Sequence, residues 1–256
     1  MTPSAPPVSG RADVVTAPAK LTWTLTVTGV RADGYHFIDA EMMTLQLADE
    51  LHIMPLPPTE PSRLTVGGPF APGVPNDAAN LVLRALDLVD RRAAVHLVKH
   101  IPHGGGLGGG SADAAAVLRW AGVDDPAVAA SLGADVPFCV VGGQARVTGI
   151  GERVEPLAIE PRLVTLVVPP LHVSTPAVYA AWDDMGGPTG SRNDLAAAAL
   201  RVEPALAEWR DRIAVLCGAT PVLAGSGATW FVEGTRDNAL AELVDEGVSV
   251  IVTRDG

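Results

Sequence analysis

Residues 20–28 read KLTWTLTVT, so that Leu21, Trp23, Leu25 and Val27 fall on one side and Lys20, Thr22, Thr24 and Thr26 on the other. Alternation with period two predicts a half-buried strand, and it sets Lys20 and Thr22 on one face where both can address one ligand. The turn sequence GVRADGYH follows, with Asp33-Gly34 as its reversal signal. An apolar stretch over 42–47 continues through a polar break to Leu51 and Met54, which predicts paired strands, and a connector rich in proline and glycine over 55–75 holds a short strand at 63–66. From 77 to 92 the apolar residues Leu81, Val82, Ala85, Leu86 and Val89 recur at helical spacing, with Asn76 or Asp77 as N-cap. A strand at 94–101, an alanine-rich helix over 111–121, a short helix over 127–132 and an apolar strand over 134–138 are predicted next.

The second half changes rhythm. A strand over 163–168 ends at Pro169-Pro170, and a helix begins at Ser174 or Thr175 with proline in its first turn. Helices around 193–200 and 203–217 lead to strands at 222–224 and 229–232, which flank the loop Gly225-Ser226-Gly227. A helix over 238–244 and a strand over 248–253 follow. This order suits a two-layer α+β domain with its sheet covered on one side. The expected organisation is a Pro/Ser-rich disordered tail over 1–13, a first domain over 14–155 and a second over 156–256.

The chemistry concentrates in IPHGGGLGGGSADAAA, which starts at Ile101. Gly104, Gly105, Gly106, Gly108, Gly109 and Gly110 are interrupted only by Leu107, and they open through Ser111 and Ala112 onto the alanine-rich helix. Successive glycines let backbone N–H groups face one anion, and a helix start adds the positive end of its dipole, so the stretch outlines a phosphate cradle. It is not a P-loop, because Gly110 is followed by Ser111, Ala112 and Asp113 and no Gly-Lys-Ser/Thr end is present. A dinucleotide fingerprint belongs in the first strand-to-helix turn of a doubly wound unit, not a hundred residues in. A flexible turn without ligand is the alternative; linkers rarely flow into an apolar helix.

Composition narrows the partners. The chain has 256 residues, 48% of them hydrophobic, enough for a sizeable core, and a net charge of -11. That charge argues against a nucleic-acid or anionic-membrane surface, so an anionic small molecule would need local, placed charge. Of the eighteen basic residues only Lys20 and Lys99 are lysines. Either chance left those two, or they do what arginine does badly and bring a compact ammonium to a reacting oxygen. Cys139 and Cys217 are too few for a disulfide framework and sit in apolar surroundings. With no signal-like segment after Met1 and no apolar run of membrane-spanning length, a cytoplasmic protein is expected.

The segments Ala17-Pro18-Ala19-Lys20, Arg31-Ala32-Asp33-Gly34-Tyr35-His36, PHGGGLGGGSADAA, Gly133-Ala134-Asp135-Val136-Pro137-Phe138 and Ala224-Gly225-Ser226-Gly227 give the chain its likeness. In order and spacing it resembles the GHMP superfamily of small-molecule kinases, and within it the kinases acting on diphosphocytidyl-methylerythritol in isoprenoid-precursor synthesis. The resemblance runs from residue 17 to the C-terminus. It implies a two-domain α+β GHMP kinase fold, with an N-terminal nucleotide domain like ribosomal protein S5 and a C-terminal ferredoxin-like sandwich. It also implies ATP-dependent phosphorylation of the hydroxyl on the methyl-bearing carbon of a cytidine diphosphate conjugate, by a monomer or weak homodimer.

Residue by residue, the resemblance makes Asp135 the base that accepts the proton of the attacking hydroxyl. Lys20 beside it polarises that hydroxyl and the γ-phosphoryl, with support from Thr22; a loose phosphoryl-transfer transition state demands placement more than basicity. A plain buried salt bridge is the other reading of this pair. Tyr35 would stack on the cytosine, His36 would hydrogen-bond it and Tyr179 would close its other face, with Gly225, Ser226 and Gly227 on the substrate side. Either tyrosine could instead be a core residue with a satisfied hydroxyl. ATP would take Asn80, Lys99, Pro102, His103 and the loop through Ser111 and Ala112, with Ser111 as a candidate ligand for the accompanying Mg²⁺; Lys99 could equally be a solvated strand-end charge.

Two departures bear on the reacting phosphate. The family carries asparagine where this chain has Thr22, which keeps a hydroxyl but loses the second donor of an amide, and it carries a second serine where this chain has Ala112. The asparagine–aspartate–leucine segment at 193–195 also lacks the acidic residue that usually follows. These departures keep open a kinase for another small alcohol, or a catalytically silent paralogue that binds nucleotide.

Overall fold

A long hairpin frames the N-terminal half. The computed structural model describes residues 12–187 and 190–256, so the expected tail lies outside the described residues up to position 11, and Asp13 already belongs to a strand. That strand, β1 (Asp13–Val30), turns through Gly34, at φ 89°, into β2 (His36–Pro55). β2 runs unbroken through the polar residues around Asp49, whose carboxylate accepts the backbone N–H groups of His100 and Ile101. Its length lets β1 pair along one edge while β4 (Ala93–Val98) and β5 (Gln144–Gly149) share the other, all antiparallel. β3 (Arg63–Gly67) adds to β4 in parallel, and β6 (Arg153–Pro156) adds to β5. β5 and β6 have no counterpart in the sequence expectation.

The alternation of β1 is broken by one extra residue. The register shifts between Thr22 and Thr24, which leaves Trp23 without a cross-strand partner; such a bulge swaps the faces beyond it. Leu25, expected opposite Lys20 and Thr22, therefore joins them on one cavity wall. Trp23 turns to the C-terminal half instead. It stacks on Phe231 at 5.3 Å, with the guanidinium groups of Arg192 and Arg162 4.0 and 4.3 Å from its ring.

Helix α1 (Leu81–Leu88) is shorter than the span of 77–92 read from periodicity. Asn80 caps it by accepting the Val82 N–H at 2.9 Å, whereas Asp77 only closes the preceding turn through Ala79. Helix α2 (Gly109–Trp120) buries Ala112, Ala114, Ala115 and Ala116, and these small side chains let it lie close to α1 and β1. After the short α3 (Pro126–Ala130), the segment expected as a strand over 134–138 is helix α4 (Val136–Val141). Pro137 sits in its first turn, where the missing N–H has no partner to lose, and a short apolar run does not distinguish strand from helix by period.

The C-terminal sheet holds β7 (Leu163–Val168), β8 (Val222–Leu223), β9 (Trp230–Glu233) and β10 (Ser249–Arg254) in the order β10-β7-β9-β8, all antiparallel. Helices α5 (Thr175–Asp184), α6 (Ala196–Val202) and α7 (Ala205–Cys217) join β7 to β8, and α8 (Ala241–Val244) precedes β10. Strands placed fourth, first, third, second in an antiparallel sheet are the ferredoxin-like arrangement the resemblance implied. No helix among the described residues is long and apolar enough to cross a membrane.

Candidate active site

A cavity of about 430 Å³ is lined by residues of both halves. β1 brings Lys20 to it: the Lys20 N–H donates to the Leu107 carbonyl at 3.0 Å, which ties the strand to the glycine loop. The side chain, 6% exposed, runs past Gly108, and its Nζ donates to Thr22 Oγ1 at 3.1 Å and lies 3.3 Å from Asp135 Oδ2. Asp135 occupies the N-cap position of α4 but makes no side-chain cap bond, so its carboxylate, 35% exposed, is turned to Lys20 and the cavity.

The glycine loop meets demands that only glycine meets at two points. A Cβ at Gly106, at φ 78°, would stand 2.7 Å from the Ala224 carbonyl oxygen and 2.8 Å from that of Gly227. One at Gly108, at φ 68°, would stand 2.7 Å from Lys20 Cγ. The Gly105 carbonyl accepts the Thr229 N–H at 3.2 Å, so the loop rests on the C-terminal sheet. Helix α2 begins at Gly109 without a side-chain cap, which leaves its first N–H groups for an anion. Pro102, His103, Gly104, Gly105, Gly109, Gly110 and Ser111 complete this wall. Burial, Lys99 and His172 hold the His103 imidazole below its ordinary pKa.

Lys99 reaches the cavity from beneath the loop. Its Nζ is gripped by Asp49 in a very short contact and by Asp113 at 2.8 Å, all three side chains being buried. Burial alone would lower the ammonium pKa; the two carboxylates reverse that and raise it. Burial, only partly offset by Lys99, pushes the Asp113 carboxyl up to about 7.

The C-terminal half supplies Thr175 and Tyr179 of α5, Leu195, Gly225 and Ser226. Thr175 Oγ1 and Ser226 Oγ share a hydrogen bond of 2.7 Å. The loop of Ser226 is held by Asn193, whose Nδ2 donates to the carbonyls of Leu223 and Gly225 at 2.8 and 2.7 Å. Burial first and the Asp135 charge second push the Tyr179 phenol up to about 12, so it stays a neutral donor.

Five expected residues stand apart from this wall. Tyr35, 58% exposed, lies in an adjoining groove that shares Ala134 and Ile150 with the cavity, with the Arg31 guanidinium 5.2 Å from its ring. His36 is gripped by one helix: its ring packs tilted against Tyr179 at 4.6 Å, meets Trp182 edge-on at 5.7 Å, and its Nε2 lies 2.8 Å from Asp183 Oδ1. Asn80 is occupied as a cap and Ala112 is buried in the core. Gly227 borders a second groove, with Gly104, Gly106 and Thr175. Conversely, no motif reading found Asp49, Asp113 or Asn193 as partners of site residues. The polar break in β2 was the available signal for Asp49; for the others a contact across 14 residues of chain or more had to be known.

Known proteins resemble this chain in sequence and in fold. Residues 77–143 match the model of the GHMP kinases N terminal domain. The 4-diphosphocytidyl-2-C-methyl-D-erythritol kinase of Paracoccus denitrificans is 42% identical over 238 residues, covering 84% of each chain. That of Ruegeria pomeroyi is 37% identical over 265 residues, covering 91% of this chain and 92% of the relative. A crystal structure of 4-(cytidine 5'-diphospho)-2C-methyl-D-erythritol kinase, 32% identical, superposes with a TM-score of 0.72 over 95% of this chain and all of that one. Homoserine kinase from Cytophaga hutchinsonii, 17% identical with a TM-score of 0.65, shares the fold.

Proposed function

Because the chain belongs to the 4-diphosphocytidyl-2-C-methyl-D-erythritol kinase family of the GHMP kinases, we propose that it transfers the γ-phosphoryl group of ATP to the hydroxyl on the methyl-bearing carbon of that substrate. The observation that carries this reading is the Lys20–Asp135 pair, 3.3 Å apart, facing the start of α2 and the glycine loop. In the proposed step the substrate oxygen bonds to the γ-phosphorus as the bond from that phosphorus to the β–γ bridging oxygen breaks. The hydroxyl proton passes to Asp135 and ADP leaves. Lys20, steered by Thr22, offsets the charge on the transferring group, and the glycine loop with the first N–H groups of α2 holds the phosphates.

Mg²⁺ belongs to the same reading. Among the described residues no three His, Cys, Asp or Glu side chains gather to hold a metal alone. The hydroxyls of Ser111 and Thr22 and the carboxylate of Asp135 are hard oxygen donors of the kind Mg²⁺ takes beside phosphate oxygens. Ser111 is the residue that would hold it, and the ion would supply positive charge to offset that of the phosphates. Residues 14–155 would form the nucleotide domain and 156–256 the second domain, in a cytoplasmic monomer or weak homodimer whose Cys139 and Cys217 are free thiols.

One observation favours a second reading, a kinase for a different alcohol: His36, assigned to the cytosine, is held by Asp183 and packed against Tyr179, the other residue assigned to that base. Measuring ADP release with and without 4-diphosphocytidyl-2-C-methyl-D-erythritol separates the two. Release that depends on this substrate supports the first reading. ATP binding without such release sinks it.

A further inference from the structure

The glycine loop has a foundation that the phosphate-binding reading does not explain. Asp49 Oδ1 accepts the N–H groups of His100 and Ile101 at 2.5 and 2.8 Å, at the point where the chain leaves β4 for the loop. Its other oxygen takes the ammonium of Lys99, which donates in turn to Asp113 at 2.8 Å, in the second turn of α2 where the loop ends. Both ends of the loop are thus tied to one side chain of β2. The first residue of α2 rests on the same group: a Cβ at Gly109 would stand 3.1 Å from Lys99 Nζ and 3.2 Å from Ile101 Cγ2.

A buried arrangement of one ammonium and two carboxylates is a weak source of stability, since desolvation cancels much of the attraction. Its geometry has another consequence. Glycines lose more conformational freedom on ordering than any other residue, and a loop that ligand must order loses affinity by that amount. We propose that Asp49 is a positioning residue for the phosphoryl donor, which through Lys99 and the backbone at His100 and Ile101 holds the glycine loop in its phosphate-receiving shape before ATP arrives. Lys99, which also borders the cavity, links Asp49 to Asp113 at the far end of the loop. The inference rests on the reading that ATP binds at this loop.

The test is direct titration of the protein with ATP, together with the KM for 4-diphosphocytidyl-2-C-methyl-D-erythritol and a melting curve. Asp49→Asn keeps an oxygen for the two N–H groups but removes the charge facing Lys99. It is expected to weaken ATP about tenfold while the KM for the alcohol stays within about threefold. The triple variant Asp49→Asn, Lys99→Met, Asp113→Asn leaves no buried charge unpaired in this cluster, so it should recover melting temperature lost by the single variant without recovering ATP affinity. Variants that bind ATP like the wild type, or that weaken both ligands alike in step with the melting temperature, overturn the proposal. Wild-type protein that fails to bind ATP would instead count against the kinase reading itself.

Discussion

Substituting Gly108 by alanine separates placement of Lys20 from stability of the fold. The new methyl would stand 2.7 Å from Lys20 Cγ and 3.1 Å from Cε, against an ordinary carbon–carbon contact of about 3.5–4.0 Å. Lys20 is the part that can move, and it must retreat by roughly 1 Å. Its Nζ lies 3.1 Å from Thr22 and 3.3 Å from Asp135, so a shift of that size disrupts both contacts. A displacement of about 1 Å at a reacting group costs roughly 10²-fold in rate. The backbone cost is separate: alanine at φ 68° loses about 1–2 kcal/mol, or a few degrees of melting temperature for a chain of this size. Gly106→Ala is the control, because its methyl meets the carbonyl oxygens of Ala224 and Gly227, which cannot swing aside. Steady-state kinetics and thermal melts on both variants should show Gly108→Ala folded with kcat down about 100-fold, and Gly106→Ala with the larger loss of stability. A Gly108→Ala enzyme with kcat within about threefold of wild type would refute the reasoning about Lys20.

Thr22→Val removes the hydroxyl that steers Lys20 while keeping the shape, and kcat should fall by about tenfold with the KM for ATP little changed; equal kcat would mean Thr22 does not orient the ammonium. Asn193→Ala leaves the carbonyls of Leu223 and Gly225 without their buried donor, and chemical denaturation should show a loss of about 2–4 kcal/mol; a loss under about 1 kcal/mol would contradict the anchoring of the Ser226 loop. Alkaline titration followed by ultraviolet absorbance should show a tyrosine step near pH 12 that disappears in Tyr179→Phe, and persistence of that step would show that Tyr179 is not buried beside Asp135. Because the folded-state phenol is raised above its ordinary value, the unfolded chain loses this proton first, so the group lowers stability as pH climbs from about 10 towards 12.

Much of the site was legible because its signals are local. Lys20 and Thr22 share a face through period two, and the glycines mark a loop suited to an anion whatever surrounds them. The bulge at Trp23 was not legible, since the residue that breaks the alternation is itself apolar and is drawn out by Phe231, Arg162 and Arg192, more than a hundred residues away. Residues 136–141 defeated the strand expectation for a different reason: six apolar residues carry too little periodicity, and Pro137, which marks a first helical turn, also suits a strand end. Asp49 looked like a break in a strand because a charged residue in a sheet normally marks an end or an exposed face; only Lys99 and two backbone N–H groups make it an interior residue. The clasp of His36 by Tyr179, Trp182 and Asp183 required knowing that α5 crosses the end of the hairpin.

The account stands on Asp135 as proton acceptor beside Lys20. The direct test is turnover of 4-diphosphocytidyl-2-C-methyl-D-erythritol and ATP by wild type and Asp135→Asn, with ATP binding measured on both. The variant should bind ATP and lose kcat by at least about 10²-fold, since amide nitrogen and oxygen cannot take the hydroxyl proton. Turnover by Asp135→Asn within about tenfold of wild type would contradict the assignment and leave Lys20–Asp135 as a structural ion pair.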